Sequence, residues 1–220
     1  MIVTIDGPAG TGKSTVARQL AAVLGFEFLN TGAMYRAVAL ACLQRGVRTD
    51  SAVEADALAA TLSIHFEQQR LLLDGADVTD AIRQPEVSHA ASRVAAIPAI
   101  RQRLVELQRG AAAGVNLVTE GRDQGTVVFP EAECKFFLTA SAEERAERRR
   151  RELQAQGCDD SLEVILQQQA ERDERDASRE VAPLRPADDA EVIDTSRMAL
   201  EEVLSRLEAC VRARQALRTP

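Results

Sequence analysis

No apolar run in this chain approaches the length of a membrane span, and the first residues lead straight into a strand pattern. Neither a membrane anchor nor an export signal is expected, which points to the cytoplasm. Positive charge is also in short supply. The net charge of −7 leaves no basic footprint of the kind that general nucleic-acid binding requires. Lysine is almost missing: Lys13 and Lys135 are the only two among 27 basic residues. Cysteine is sparse and scattered, at Cys42, Cys134, Cys158 and Cys210. That spacing contains no metal-binding pattern, and reduced thiols are expected. The two histidines, His65 and His89, are isolated from each other, so no histidine-based chemistry is expected. Sequence repeats and long disordered linkers are absent as well.

What the chain does carry is Gly7-Pro8-Ala9-Gly10-Thr11-Gly12-Lys13-Ser14, which fits G-x-x-x-x-G-K-[ST] at every fixed position. Ile2 to Ile5 ahead of it is a β-branched run suited to a buried strand. Val16 to Leu24 behind it repeats apolar residues at helical spacing. A strand, a glycine-rich turn and a helix in that order make an anion site. Glycines let backbone N–H groups turn inward on phosphates, and the helix N-terminus adds partial positive charge. Lys13 can reach the β and γ phosphates, and the Ser14 hydroxyl can hold a magnesium ion. A nucleoside triphosphate is the expected ligand.

Alternating strand and helix patterns predict an α/β fold, with a central parallel sheet and helices on both faces. A length of 220 residues suits one P-loop domain carrying an insert. Strands are expected at Phe26 to Leu29, Val115 to Thr119, Cys134 to Leu138 and Val192-Ile193. Helices are expected over Gly32 to Gln44 and Pro98 to Arg109. From about residue 55 to 95 the character changes. Leu62, Ile64 and Phe66 alternate with polar residues, then Gln68-Gln69 and Arg70-Leu71-Leu72-Leu73-Asp74-Gly75 follow, a two-stranded antiparallel signature that marks a small inserted subdomain. Ser141 with Glu144 three residues on forms a capping-box pattern. The arginine-rich stretch of about 145 to 179 reads either as a solvated helical pair or as a mobile lid carrying arginines over phosphates.

A phosphate loop alone also fits GTPases, motor ATPases and nucleotide-gated switches. No Asn-Lys-x-Asp element for guanine is present, and the strand ending Thr119-Glu120-Gly121 matches poorly the strand-terminal Asp of motor ATPases. Arg36, Arg101 and Arg122 instead fall at strand and helix ends on the ligand-binding edge of such a sheet. Several guanidinium groups there suit a second phosphorylated substrate. A nucleoside monophosphate needs no general base, because its phosphate is mostly dianionic near neutral pH.

Four stretches together resemble the bacterial cytidylate kinase family: Gly7 to Thr15; Asn30-Thr31-Gly32-Ala33-Met34-Tyr35-Arg36; Glu120-Gly121-Arg122-Asp123-Gln124-Gly125-Thr126-Val127-Val128-Phe129-Pro130; and Glu171 to Asp176 through Arg179. They run end to end in order. Glu120 stands where Asp is common and Thr31 where Ser is common. The resemblance implies transfer of the ATP γ-phosphoryl group, with Mg²⁺, to CMP or dCMP, a step in pyrimidine nucleotide metabolism. The sequence itself leads us to expect a cytoplasmic monomer. The resemblance also implies that Arg36, Arg122 and Arg179 bind the acceptor phosphate, Ser92, Arg101 and Asp123 read cytosine, and Tyr35 and Asp176 contact the ribose. Thr31 joins this substrate set, and Lys13, Arg122 and Arg179 are the implied catalytic residues. It further implies that the insert binds CMP and that the stretch 145 to 179 is a lid. A UMP or dTMP kinase on the same scaffold, or a nucleotide-gated binding protein, is the rival expectation.

Overall fold

A computed structural model describes residues 1–67, 70–155 and 157–217. Gln68-Gln69, between the two halves of the expected antiparallel signature, lies outside the described residues. The elements run β1 (Ile2–Asp6), α1 (Lys13–Leu24), β2 (Glu27–Asn30), α2 (Thr31–Gln44), α3 (Ala52–Ala59), β3 (Ile64–Glu67), β4 (Arg70–Leu73), β5 (Ala76–Asp77), α4 (Pro85–Val94) and α5 (Pro98–Ala111). They continue as β6 (Leu117–Gly121), β7 (Cys134–Thr139), α6 (Ala142–Ala155), α7 (Leu162–Ala177), β8 (Glu191–Asp194) and α8 (Leu200–Ala216). The chain divides into two compact units. One joins Met1–Leu29 to the chain from Ala112 onward, and the other is Asn30–Ala111, which contains the 55 to 95 segment.

The first unit is built on a five-stranded sheet of order β2-β6-β1-β7-β8. β1 pairs in parallel with both β6 and β7, and β7 with β8. Strands covered by helices favour apolar residues, which explains Val3 and Ile5 in β1 and Phe136 and Leu138 in β7, all buried. Val3, Ile5, Val118, Phe136, Leu138 and Ile193 pack against Val16, Ala17 and Leu20 of α1 and Val203, Leu207 and Val211 of α8. α6 and α7 pack on each other through Ala146, Leu153 and Ile165, with Leu162 and Leu166 at the edge. Few apolar residues hold this polar pair, and Ser161 caps α7 by accepting a hydrogen bond from Val164 N. At α6 the capping box is only half made. Ser141 Oγ accepts from Glu144 N at 3.2 Å, but the Glu144 carboxylate pairs with Arg148, and Ser141 N donates to Ser196 instead. A guanidinium four residues along competes better for that carboxylate than a neutral backbone N–H.

In the second unit α2 buries Met34, Ala37, Val38 and Ala41 and packs on α4. The expected antiparallel pair is present as β3 and β4, with Ile64 opposite Leu73 and Phe66 opposite Leu71. A third short strand, β5, adds to β4. Its turn needs left-handed backbone at Asp74 and Gly75, and both have positive φ.

Candidate functional site

The phosphate loop leaves β1 at Asp6 and enters α1 at Lys13, so its shape is set by its glycines. At Gly7, φ is 144° and an added Cβ would drive into the Leu138 carbonyl of β7. At Gly10, φ is 80° and a Cβ would lie 3.0 Å from Arg145 Cβ and 3.1 Å from Gln169 Nε2. Only glycine fits either place. Lys13 is buried, and its ammonium donates to Pro8 O at 2.5 Å and Thr11 Oγ1 at 3.3 Å. Burial, with the nearby Arg122 and Arg172, brings the Lys13 pKa down to about 7, against the opposing pull of Glu120 and Asp6. A lysine perturbed this strongly by burial and neighbouring charges marks a candidate functional site.

Ser14 Oγ donates to Glu120 Oε1 at 2.9 Å. The strand end that matched poorly in sequence therefore places a carboxylate on the loop serine. Among the described residues no group of three or more His, Cys, Asp or Glu side chains is arranged to hold a metal. One hydroxyl and one carboxylate oxygen suit Mg²⁺, which takes few protein ligands and completes its shell with phosphate oxygens and water.

Beyond β6, Arg122 Nε donates to Asp176 Oδ2 at 2.9 Å, and Arg179 pairs with Asp176 Oδ1. Burial works to raise the Asp176 carboxyl, but the guanidinium groups of Arg122, Arg179 and Arg172 outweigh it and hold it below the ordinary carboxylate range. Asp176 thus aligns two of the implied catalytic arginines. Asp123 is almost fully buried and opens a π-helical turn over Gln124–Val128. Arg145 and Arg148, read as possible lid arginines, grip the loop backbone. Arg145 Nη1 donates to Ala9 O at 3.1 Å and to Asp173 Oδ2 at 2.5 Å, and Arg148 Nη1 donates to Thr11 O at 3.4 Å while its Nη2 donates to Thr195 O at 2.8 Å. Arg149, Arg150 and Arg151 instead pair with Glu152 and Glu147 on their own helix, the solvated pattern.

Lys13, Ser14, Arg122, Asp123, Asp176 and Arg179 all lie in the first unit. Thr31, Tyr35, Arg36, Ser92 and Arg101 lie in the second. There Asn30 Oδ1 caps α2 by accepting from Ala33 N, which puts Thr31, Tyr35 and Arg36 on its first turns. The Arg101 guanidinium lies 5.6 Å from the centre of the half-buried Tyr35 ring and donates to Ala95 O at 3.1 Å. Ser92 is buried on α4. His65 and His89 are both exposed. The sequence reading missed Asp6, Arg145 as a loop contact, and Thr195. Asp6 did leave a signal, a carboxylate closing an otherwise apolar strand.

A profile of the cytidylate kinase family matches residues 3–213. The chain belongs to the cytidylate kinase family. It is 51% identical over 216 residues to a cytidylate kinase of Pelotomaculum thermopropionicum, covering 96% of each chain. It is 47% identical over 209 residues to a cytidylate kinase of Vibrio cholerae, covering 93% of each. Among solved structures, an uncharacterized protein from Eubacterium ventriosum superposes with a TM-score of 0.53 at 11% identity, over 97% of this chain and 98% of that one. That likeness concerns the fold alone.

Proposed function

We propose that this cytidylate kinase family member transfers the γ-phosphoryl group of ATP to CMP and dCMP, giving ADP with CDP or dCDP. The match to the family across residues 3–213 is the observation that carries the reading. The phosphate-loop amides of Gly7 to Thr15 and the Lys13 ammonium hold the donor phosphates. Ser14, with Glu120 bonded to it, would hold Mg²⁺, which neutralises phosphate charge when bound. Arg36, Arg122 and Arg179 grip the acceptor phosphate, and the Asp176 carboxylate keeps the last two aligned. Ser92, Arg101 and Asp123 read cytosine, while Tyr35 and Asp176 contact the ribose and Thr31 lines the same subsite. No base is needed to make the acceptor phosphate a nucleophile, because its dianion already is one. The protein's part is to align two anions and neutralise the charge that develops between them.

We assign the stretch of about 145 to 179 to the lid and the 55 to 95 segment to CMP binding. The functional unit we propose is a cytoplasmic monomer acting on small molecules. Among the described residues no helix is long and apolar enough to cross a membrane. ADP release from ATP, followed with no acceptor and with CMP, dCMP, UMP or dTMP, tests the reading. CMP and dCMP should drive it, whereas release that ignores the acceptor would contradict a kinase.

A further inference from the structure

We propose that Asp6 is a positioning residue for acceptor recognition, its carboxylate holding the Arg122–Asp123 segment in register with the phosphate loop. The inference rests on the CMP kinase reading given above. Asp6 is the last residue of β1 and is locked by pairing on both sides, opposite Gly121 of β6 and Phe137 of β7. It is therefore the fixed partner. The residue is 4% exposed, and its carboxylate accepts two backbone hydrogen bonds, Oδ1 from Gln124 N at 2.9 Å and Oδ2 from Gly125 N at 2.8 Å.

Those two N–H groups open the π-helical turn. The bonds inside the turn use later donors: Val127 N and Val128 N donate to Asp123 O, and Phe129 N donates to Gln124 O. The first N–H groups of a helical turn need an acceptor from outside it. Asp6 supplies both.

The dependent partner is thus a chain. Asp6 fixes the turn, and the turn fixes the Asp123 carbonyl and with it the orientation of Asp123 and the adjoining Arg122. Gly125 tightens the joint. A Cβ there would lie 2.9 Å from Thr4 Oγ1 and 3.3 Å from Lys135 Cδ, so the turn presses on β1 and β7 with no room for a side chain. Gln124 adds a further tie, its Oε1 accepting from Thr119 Oγ1 at 2.9 Å.

When ionised, a carboxyl group is the one short side chain with two acceptor oxygens and no donor. An amide of the same shape would keep one bond and turn an N–H₂ against the second N–H. The turn would shift, while β1 and the loop leaving it stay held by the sheet.

Asp6→Asn is the test, read as kcat, KM for CMP, KM for ATP and the CMP-to-UMP ratio of kcat/KM. Loss of one buried bond in the joint should raise KM for CMP by about tenfold and narrow the CMP-to-UMP ratio, with KM for ATP within about twofold. An unchanged KM for CMP and ratio would overturn the proposal. Equal increases in both KM values would also overturn it, making Asp6 a support of the loop or fold in general. Gly125→Ala displaces the turn from its other side with Asp6 intact and should give the same split. If Asp6→Asn does not fold, the presence or absence of that split in Gly125→Ala decides. A parent enzyme that fails to make CDP in the same assay contradicts the proposed function. An active parent beside an unaltered variant contradicts this inference alone.

Discussion

Lys13 is held in the free protein by Pro8 O and Thr11 Oγ1, contacts worth little to an ammonium compared with two phosphates. Lys13→Ala removes that charge and leaves the loop amides and glycines in place. Turnover should fall by about two to three decades, equivalent to about 3–4 kcal/mol of lost stabilisation. A variant within threefold of the parent would remove Lys13 from the chemistry. The lowered pKa of Lys13 has its own signature. With a value of about 7 in the free protein, the amine is mostly neutral at about pH 8.5. Arriving phosphates favour its charged form, so ATP binding there should take up protons, and at about pH 5.5 Lys13 should take up none. Calorimetry in two buffers of different ionisation enthalpy measures this, and equal heats at about pH 8.5 would contradict it. Asp123 can accept from the exocyclic amine of cytosine, whereas uracil would set a carbonyl oxygen against it. Unpaired buried groups cost about 1–3 kcal/mol, a preference of about ten- to a hundredfold for CMP. Asp123→Asn should narrow the ratio of kcat/KM for CMP to that for UMP while lowering CMP activity. An unchanged ratio would show that Asp123 does not read the base.

At the scale of elements, the arginine-rich α6 shows where sequence reasoning ran out. Arg145 and Arg149 lie four residues apart in one polar run, and nothing in the pattern separates them. The fold does: Arg145 is buried against Ala9, Ala140 and Asp173, while the half-buried Arg149 pairs with Glu152 of its own helix. Which arginine faces the loop depends on how α6 sits on the sheet, a tertiary fact that no local window contains. Arg145→Lys keeps the charge but not the fork that serves three acceptors. It should cost about 1–3 kcal/mol and lower the melting temperature by several degrees, with Arg149→Lys within about 0.5 kcal/mol of the parent. Equal effects would mean that both are surface residues. The second half of the capping box at Ser141 is missing for a related reason, since Arg148 competes with the backbone for Glu144.

For the whole molecule, the alternating α/β pattern and the phosphate loop were legible because each rests on local rules: β-branched runs, helical periodicity and glycines at fixed offsets. Strand order was not, since β1 pairs with β6 and β7 across more than a hundred residues. The π-helical turn after β6 was hidden too, because it depends on Asp6, more than a hundred residues earlier in the sequence. Of the proposed acceptor residues, which are scattered from Thr31 to Arg179 over two compact units, the arginines Arg36, Arg101 and Arg122 were legible from their placement, and the others only through family resemblance. Periodicity has nothing to say about Ser92 or Tyr35. What unites these parts is the transfer itself, and competition reports it directly. The protein is incubated with ATP labelled at the γ-phosphate and equal amounts of CMP and UMP, and the labelled products are separated. Label should appear in CDP at about tenfold or more over UDP. Label shared equally with UDP, or released only as inorganic phosphate, would contradict a CMP kinase.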